Sequence, residues 1–281
     1  MMQCTKWLGL ALSVAVLSAC DSEVRPGDSS GGVGGGSGSA EGDGGGLGGG
    51  EGDSSGGSGS SGGANGGGDG PCESTLSLTI RDFTESHPDF QAGVQALRGL
   101  VKEDLGADQK PVYAPDGATA VTAGQAEFDQ WYRDVDGVNQ RMATQIEFSE
   151  ESPGVFVYDN PVFFPIDGMG FGNGPGDAPH NYLFTTEAHT LFSYSGGEVF
   201  TFRGDDDLFV FINGKLAVDL GGVHGPEEAT IELDAEAERL GIQAGMTYPM
   251  DIFHAERHTV ESNFRIQTTI DLSCIENVPV I

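Results

Sequence analysis

Positive charge is scarce in this sequence. The chain has 281 residues, with 13 Lys or Arg against 43 Asp or Glu, for a net charge of −30. Phosphate binding needs basic patches, so nucleic acid is excluded as a partner. Docking on anionic lipid by charge is excluded for the same reason. Long apolar runs are also missing. The longest, Trp7 to Val16, is too short to cross a bilayer as a mature helix. Only four cysteines occur, with no C-x-x-C or Cys/His zinc spacing, so no structural zinc site is expected. No G-x-S-x-G elbow, no Ser-x-x-Lys and no phosphate-cradling glycine loop opening a helix is present. The chain therefore reads as a binding protein and not an enzyme, although plentiful carboxylates leave a glycosidase pair open.

What is there divides into three stretches. Residues 1–19 read as a signal peptide, with Lys6 before the apolar run. Leu17-Ser18-Ala19-Cys20 resembles a bacterial lipobox, which makes Cys20 the lipidated first residue of an exported chain. The expected location is a bacterial membrane facing the outside, at the cell surface or outer membrane, held by the lipid anchor only. Residues 20–71 are Gly/Ser-rich with one leucine and no aromatic residue. They cannot bury enough apolar surface to offset chain entropy. A flexible linker of that length spans roughly 40 Å at about 5–6 Å × √n. Residues 72–281 then form one domain, bracketed by Cys72 and Cys274. In an oxidising compartment a single pair so placed reads as a disulfide, with two free thiols as the other reading.

The domain is mostly β in pattern. "STLSLTIRDF", "GVFVYDNPVFF", "HTLFSYSGGEVFTFRG", "DLFVFING", "KLAVDLGG", "TIELDAE", "YPMDIFHAER" and "NFRIQTTIDLSC" are strand candidates divided by Gly, Pro, Asn and Asp. Helical signal is confined to 88–101 and 123–135. The pattern predicts an antiparallel β-sandwich or barrel with one or two short helices. "DLFVFI" is apolar on both faces and predicts a central strand, and Asn213-Gly214 predicts a two-residue hairpin. Directly before that strand stand Asp205, Asp206 and Asp207. Carboxylates ~6 Å apart repel by roughly 3 kcal/mol at an effective dielectric of ~20. A solvated turn and a bound Ca²⁺ are both compatible with such crowding.

The blocks 81–90, 128–139, 163–173, 180–224 and 248–270 together resemble a fibro-slime domain, a relative of the protective-antigen-type (PA-14) β-sandwich. The resemblance covers nearly all of 76–272. It implies an extracellular module for carbohydrate binding or adhesion, with a glycan as partner. In the calcium-dependent lectins of that superfamily, two consecutive aspartates joined by a cis peptide hold Ca²⁺ in the sugar site. The equivalent pair is Asp205 and Asp206, with Asn263 of "ESNF" as the completing asparagine. Asp207, His224, His258 and the loop residue Phe171 are further ligand-binding candidates. His254 and His258 form H-x₃-H, but a zincin needs HExxH on a helix, so a hydrogen-bonded strand histidine is expected. Trp131 and Tyr132 fit core positions better than a sugar platform. Two other functions stay open: a structural matrix protein without a ligand pocket, and a glycan-active hydrolase.

Overall fold

Alternating β-branched and aromatic residues set the strands. In β1 (Thr75–Asp82) Leu76, Leu78 and Ile80 share a face and are buried. β2 (Gln95–Ala96), the one-turn α1 (Gln125–Phe128), β3 (Gln140–Glu147), β4 (Ser149–Ser152) and β5 (Val155–Asn160) follow. Next come β6 (Phe184–Tyr194), β7 (Val199–Gly204), β8 (Asp207–Ile212), β9 (Lys215–Leu220), β10 (Gly222–Val223) and β11 (Glu227–Glu232). α2 (Leu233–Leu240), β12 (Met246–Glu256), β13 (Phe264–Thr268) and β14 (Glu276–Asn277) complete the order. The computed structural model describes residues 74–273 and 275–280. The signal segment, Cys20, the linker, Cys72 and Cys274 lie outside the described residues.

Two antiparallel sheets form a sandwich with no closed barrel. One runs β3-β1-β6-β12-β8-β9, with β14 added on β6, and the other runs β11-β7-β13-β5-β4. Between them Ile80, Phe184, Phe200, Phe202, Phe264 and Ile266 make one core. A second core lies on the opposite face of the larger sheet. There Phe209, Phe211 and Phe253 meet Leu100, Val121, Phe128, Trp131 and Tyr132. β8 explains both: its even residues Leu208, Val210 and Ile212 face the first core, its odd phenylalanines the second. All six of its residues are buried. Each of its five apolar side chains contributes about 1.5–3 kcal/mol by leaving water. The predicted hairpin is present, with φ of 52° at Asn213 and 73° at Gly214 joining Ile212 to Lys215.

Two helical expectations are corrected. Residues 88–101 contain β2 and no helix, because Gln91 and Gly99 have φ of 60° and 80° and the segment pairs with β10 instead. Of 123–135, only Gln125–Phe128 is helical. Gly124 offers no side-chain cap, and the chain turns to drive Phe128, Trp131 and Tyr132 into the sheet. Conversely, 233–240 is a helix where a strand was expected over 230–236; its ends bury Leu233 and Leu240, and Gly241 closes it with φ of 66°.

The second core also carries a buried charge network. Glu187, fully buried on β6, accepts from Arg81 at 2.6 Å, from His189 Nε2 at 2.7 Å and from Lys110. His189 Nδ1 reaches Asp251 at 2.6 Å. Burial works against the Glu187 charge, but His189, Arg81 and Lys110 more than offset it and hold the carboxyl at about 2. Burial also opposes charge on His189, and Asp251 with Glu187 overcomes it, raising that imidazole. Lys110 ties the covering segment to the sheet.

Candidate functional site

β7 belongs to the smaller sheet and β8 to the larger, so Asp205 and Asp206 bridge the two at one end of the sandwich. The Asp205–Asp206 peptide bond is cis. Just before it, Gly204 pairs with Phe264, and a Cβ there would sit 2.4 Å from the Asn263 carbonyl oxygen. Glycine at 204 thus permits the close approach that brings Asn263 to Asp205.

The three aspartates do three different things. Asp205 accepts from the backbone N–H of Asn263 at 2.5 Å and from its Nδ2 at 2.9 Å. Asp206 accepts from the backbone N–H of Arg257 at 3.0 Å and of His224 at 3.2 Å. Asp207 turns the other way. It accepts from Gly222 N–H at 2.6 Å and forms a fully buried ion pair with Arg257 Nε at 2.6 Å. Arg257 also donates to the Asp89 and Val121 carbonyls and lies 4.5 Å over the Trp131 ring. Asp207 is therefore committed to the second core, which accounts for one of the three charges without a ligand.

A cleft of about 210 Å³ opens at this end of the sandwich. Asp205, Asp206, His224 and His258 all line it, with Asn263 attached through Asp205. Asp207 does not line it, and Phe171 lies apart, in a separate hollow of about 230 Å³ beside Phe83 and Glu85. His224 Nδ1 faces the Gly225 carbonyl at 2.8 Å, and His258 Nδ1 faces the Thr259 carbonyl at 2.5 Å. A carbonyl only accepts, so His258 Nδ1 carries its proton and Nε2 is the atom left for a ligand. His254 is the hydrogen-bonded strand histidine: Nε2–H donates to the Asp205 carbonyl at 2.7 Å and Nδ1 accepts from Thr186 at 2.9 Å. Burial pulls its pKa down to about 4, so it is neutral. Trp131 and Tyr132 are wholly buried core.

Electrostatics set the character of the cleft floor. Burial, aided by Asp207 and Asp205 and opposed by Arg257, pushes Asp206 up to about 8. Burial raises Asp205 as well, against the Asn263 hydrogen bonds. Glu256, at the end of β12, is fully buried and neither of its oxygens has a well-formed hydrogen bond. The Ser262 hydroxyl nearby donates instead to the Phe163 carbonyl at 2.8 Å. Burial, then Asp206 and Asp205, drive Glu256 far above the usual carboxylate range. Glu256 lies between the two histidines of the H-x₃-H stretch, where the zincin pattern gives it no role. A carboxylate ending an apolar strand was the available signal.

The donor set suits a hard cation. Each carboxylate offers about four lone-pair sites, and Asp205 and Asp206 use two apiece on N–H groups. The remaining sites and the Asn263 carbonyl are all oxygens, the ligand type Ca²⁺ takes. Among the described residues no group of three or more His, Cys, Asp or Glu could hold a metal ion. A cation at Asp205 and Asp206 therefore needs amide or backbone oxygens, water or a ligand's own hydroxyls.

Residues 166–277 match the PA14 domain family. The chain is 42% identical over 217 residues to protein psiQ of Dictyostelium discoideum, covering 71% of this chain and 21% of psiQ. It is 37% identical over 225 residues to protein psiC of the same organism, covering 73% and 43%. The chain thus spans between about a fifth and under half of these curated relatives. Among solved structures, a PA14 sugar-binding domain from an RTX adhesin is 12% identical with a TM-score of 0.29, over 66% of this chain and 96% of that one. The PA14 domain of the MpAFP antifreeze protein is 11% identical with a TM-score of 0.31, over 76% and 97%.

Proposed function

We propose, on the premise that residues 166–277 carry a PA14 domain match, that this chain is an exported, lipid-anchored surface module that binds glycans with the help of Ca²⁺. Carbohydrate binding is common in that family. The observation that carries the reading is that Asp205 and Asp206 line a solvent-open cleft, with Asn263 bonded to Asp205 and oxygen lone pairs left over. A bound Ca²⁺ would supply a positive centre that accepts two vicinal sugar hydroxyls. Asp205 and Asp206 would hold it, and Asn263 would contribute its amide oxygen. The raised carboxyls support this role, because a cation favours their ionised forms and relieves their mutual repulsion. Cys20 would carry the lipid, and the Gly/Ser-rich stretch would hold the module off the membrane.

Calcium titration with thermal unfolding tests this. Extracellular modules bind Ca²⁺ at about 10⁻⁴–10⁻³ M. At a dissociation constant of ~0.1 mM, ~1 mM Ca²⁺ stabilises the fold by roughly 1.4 kcal/mol. The Asp205→Asn/Asp206→Asn double variant loses that response, and EDTA abolishes glycan-array binding by the unmutated chain. Array binding that survives EDTA refutes the calcium-assisted reading.

A further inference from the structure

We infer, resting on the sugar-binding reading above, that the cleft seats one neutral sugar ring at a chain end, with the ring's C–H face held between Val94 and Val260. These are the two most exposed large apolar side chains among the described residues, at 68% and 76%. They come from distant segments, and both line the same cleft as Asp205 and Asp206. One exposed valine is ordinary, whereas two flanking one polar floor make an amphipathic slot. A pyranose has the matching character: hydroxyls around its rim and apolar C–H groups on its faces.

Both valines lie between anchored residues. Val94 lies between Gln91, whose N–H donates to the Arg257 carbonyl at 2.7 Å, and β2, which pairs with β10. That pairing depends on Gly222, where φ is +100° and a Cβ would sit 2.4 Å from the Gln95 oxygen. Val260 lies between His258 and Asn263, and the latter is fixed to Asp205. The slot is thus built by two segments tied to the floor, one through Arg257 to Asp206 and the other through Asn263 to Asp205.

Size and charge narrow the ligand. At about 210 Å³ the cleft is below the roughly 300–1,000 Å³ of drug-sized pockets, so it takes one ring and not an extended chain. Its lining includes Asp205, Asp206 and Glu261 and no Lys or Arg. A divalent cation balances two of those charges and leaves Glu261. An acidic sugar then meets a like charge, worth on the order of tenfold in affinity after screening by salt.

The test uses the full chain in calcium against an array of terminal neutral hexosides and their matching uronosides. Neutral hexosides bind, and uronosides bind about tenfold more weakly. Glu261→Gln narrows that gap. Val94→Ser and Val260→Ser each weaken neutral-sugar binding by about fourfold, the worth of one buried methylene-sized group. Both leave the calcium-dependent rise in melting temperature unchanged, which separates loss of the wall from loss of the fold or the cation. Sugar binding indifferent to both valines, or uronosides bound as well as hexosides, overturns this inference and leaves the sugar reading standing. No binding by the unmutated chain overturns both.

Discussion

Replacing Glu187 by Gln tests whether the buried charge network holds the covering segment on the sheet. The substitution keeps the shape and removes the one anion that Arg81, Lys110 and His189 share. Its pKa is held at about 2, against an ordinary 4.5. A shift of that size corresponds to about 3 kcal/mol, at ~1.4 kcal/mol per unit. Breaking a buried pair by removing one partner costs about 3–5 kcal/mol, which agrees. For a domain of this size each kcal/mol moves Tm by roughly 2–4 °C, so Glu187→Gln lowers Tm by about 6–12 °C at pH 7. The pH dependence follows from the sign of the shift. A depressed carboxyl stabilises the fold above its unfolded pKa, and that contribution fades as pH falls from 4.5 to about 2. The gap in Tm between the two proteins, measured by circular dichroism, therefore closes over that window. A drop under ~2 °C at pH 7, or an equal drop near pH 2, refutes the argument.

Asp207→Asn leaves Arg257 charged and buried without its partner, and lowers stability by about 3–5 kcal/mol in urea unfolding, with or without calcium. A calcium-dependent loss would instead place Asp207 in the cation site. Gly222→Ala imposes a Cβ 2.4 Å from the Gln95 oxygen at φ +100°; a loss of at least about 1–3 kcal/mol is expected, and a neutral result would refute the close packing of β2 on β10. Cys72 and Cys274 are expected to be joined. Each lies three residues before a segment that touches the other: the Asn277 side chain accepts from Ser77 N–H at 2.7 Å and donates to the Thr75 carbonyl at 2.9 Å. Thiol titration of the unfolded, unreduced domain 72–281, which lacks Cys4 and Cys20, should find neither reactive, and two free thiols would end the idea.

The parts legible in the sequence were those set by local periodicity. β8 announced its two buried faces, and Asn213-Gly214 announced its turn, because both depend on adjacent residues. Segment 88–101 misled because its helix propensity was overridden by pairing with β10, over 120 residues away in the chain. α2 follows β11 without a break, so its first residues, 233–236, read as an extension of that strand. The acidic run was visible, but not its division of labour. Asp205, Asp206 and Asp207 are identical in chemistry, and only the crossing between sheets sends Asp207 to Arg257 and the other two to the cleft. Val94 and Val260 carried no signal, since nothing local says which loops will face each other.

The return of β14 beside β1 has a mechanical meaning. Thr75 and Asn277 lie together toward the Leu191 end of β6, while Glu256 pairs at its Phe184 end and Asp206 bonds to the neighbouring Ala255 carbonyl. From Phe184 to Leu191 is about 24 Å at ~3.4 Å per residue. A pull applied through residue 74 against something gripped at the cleft therefore runs along the strands. β1 is bonded on both sides, to β3 over its full length and to β6 near Asp82. Load in that direction shears those hydrogen bonds together and does not peel them one at a time, the geometry in which a sheet bears the most force before it gives.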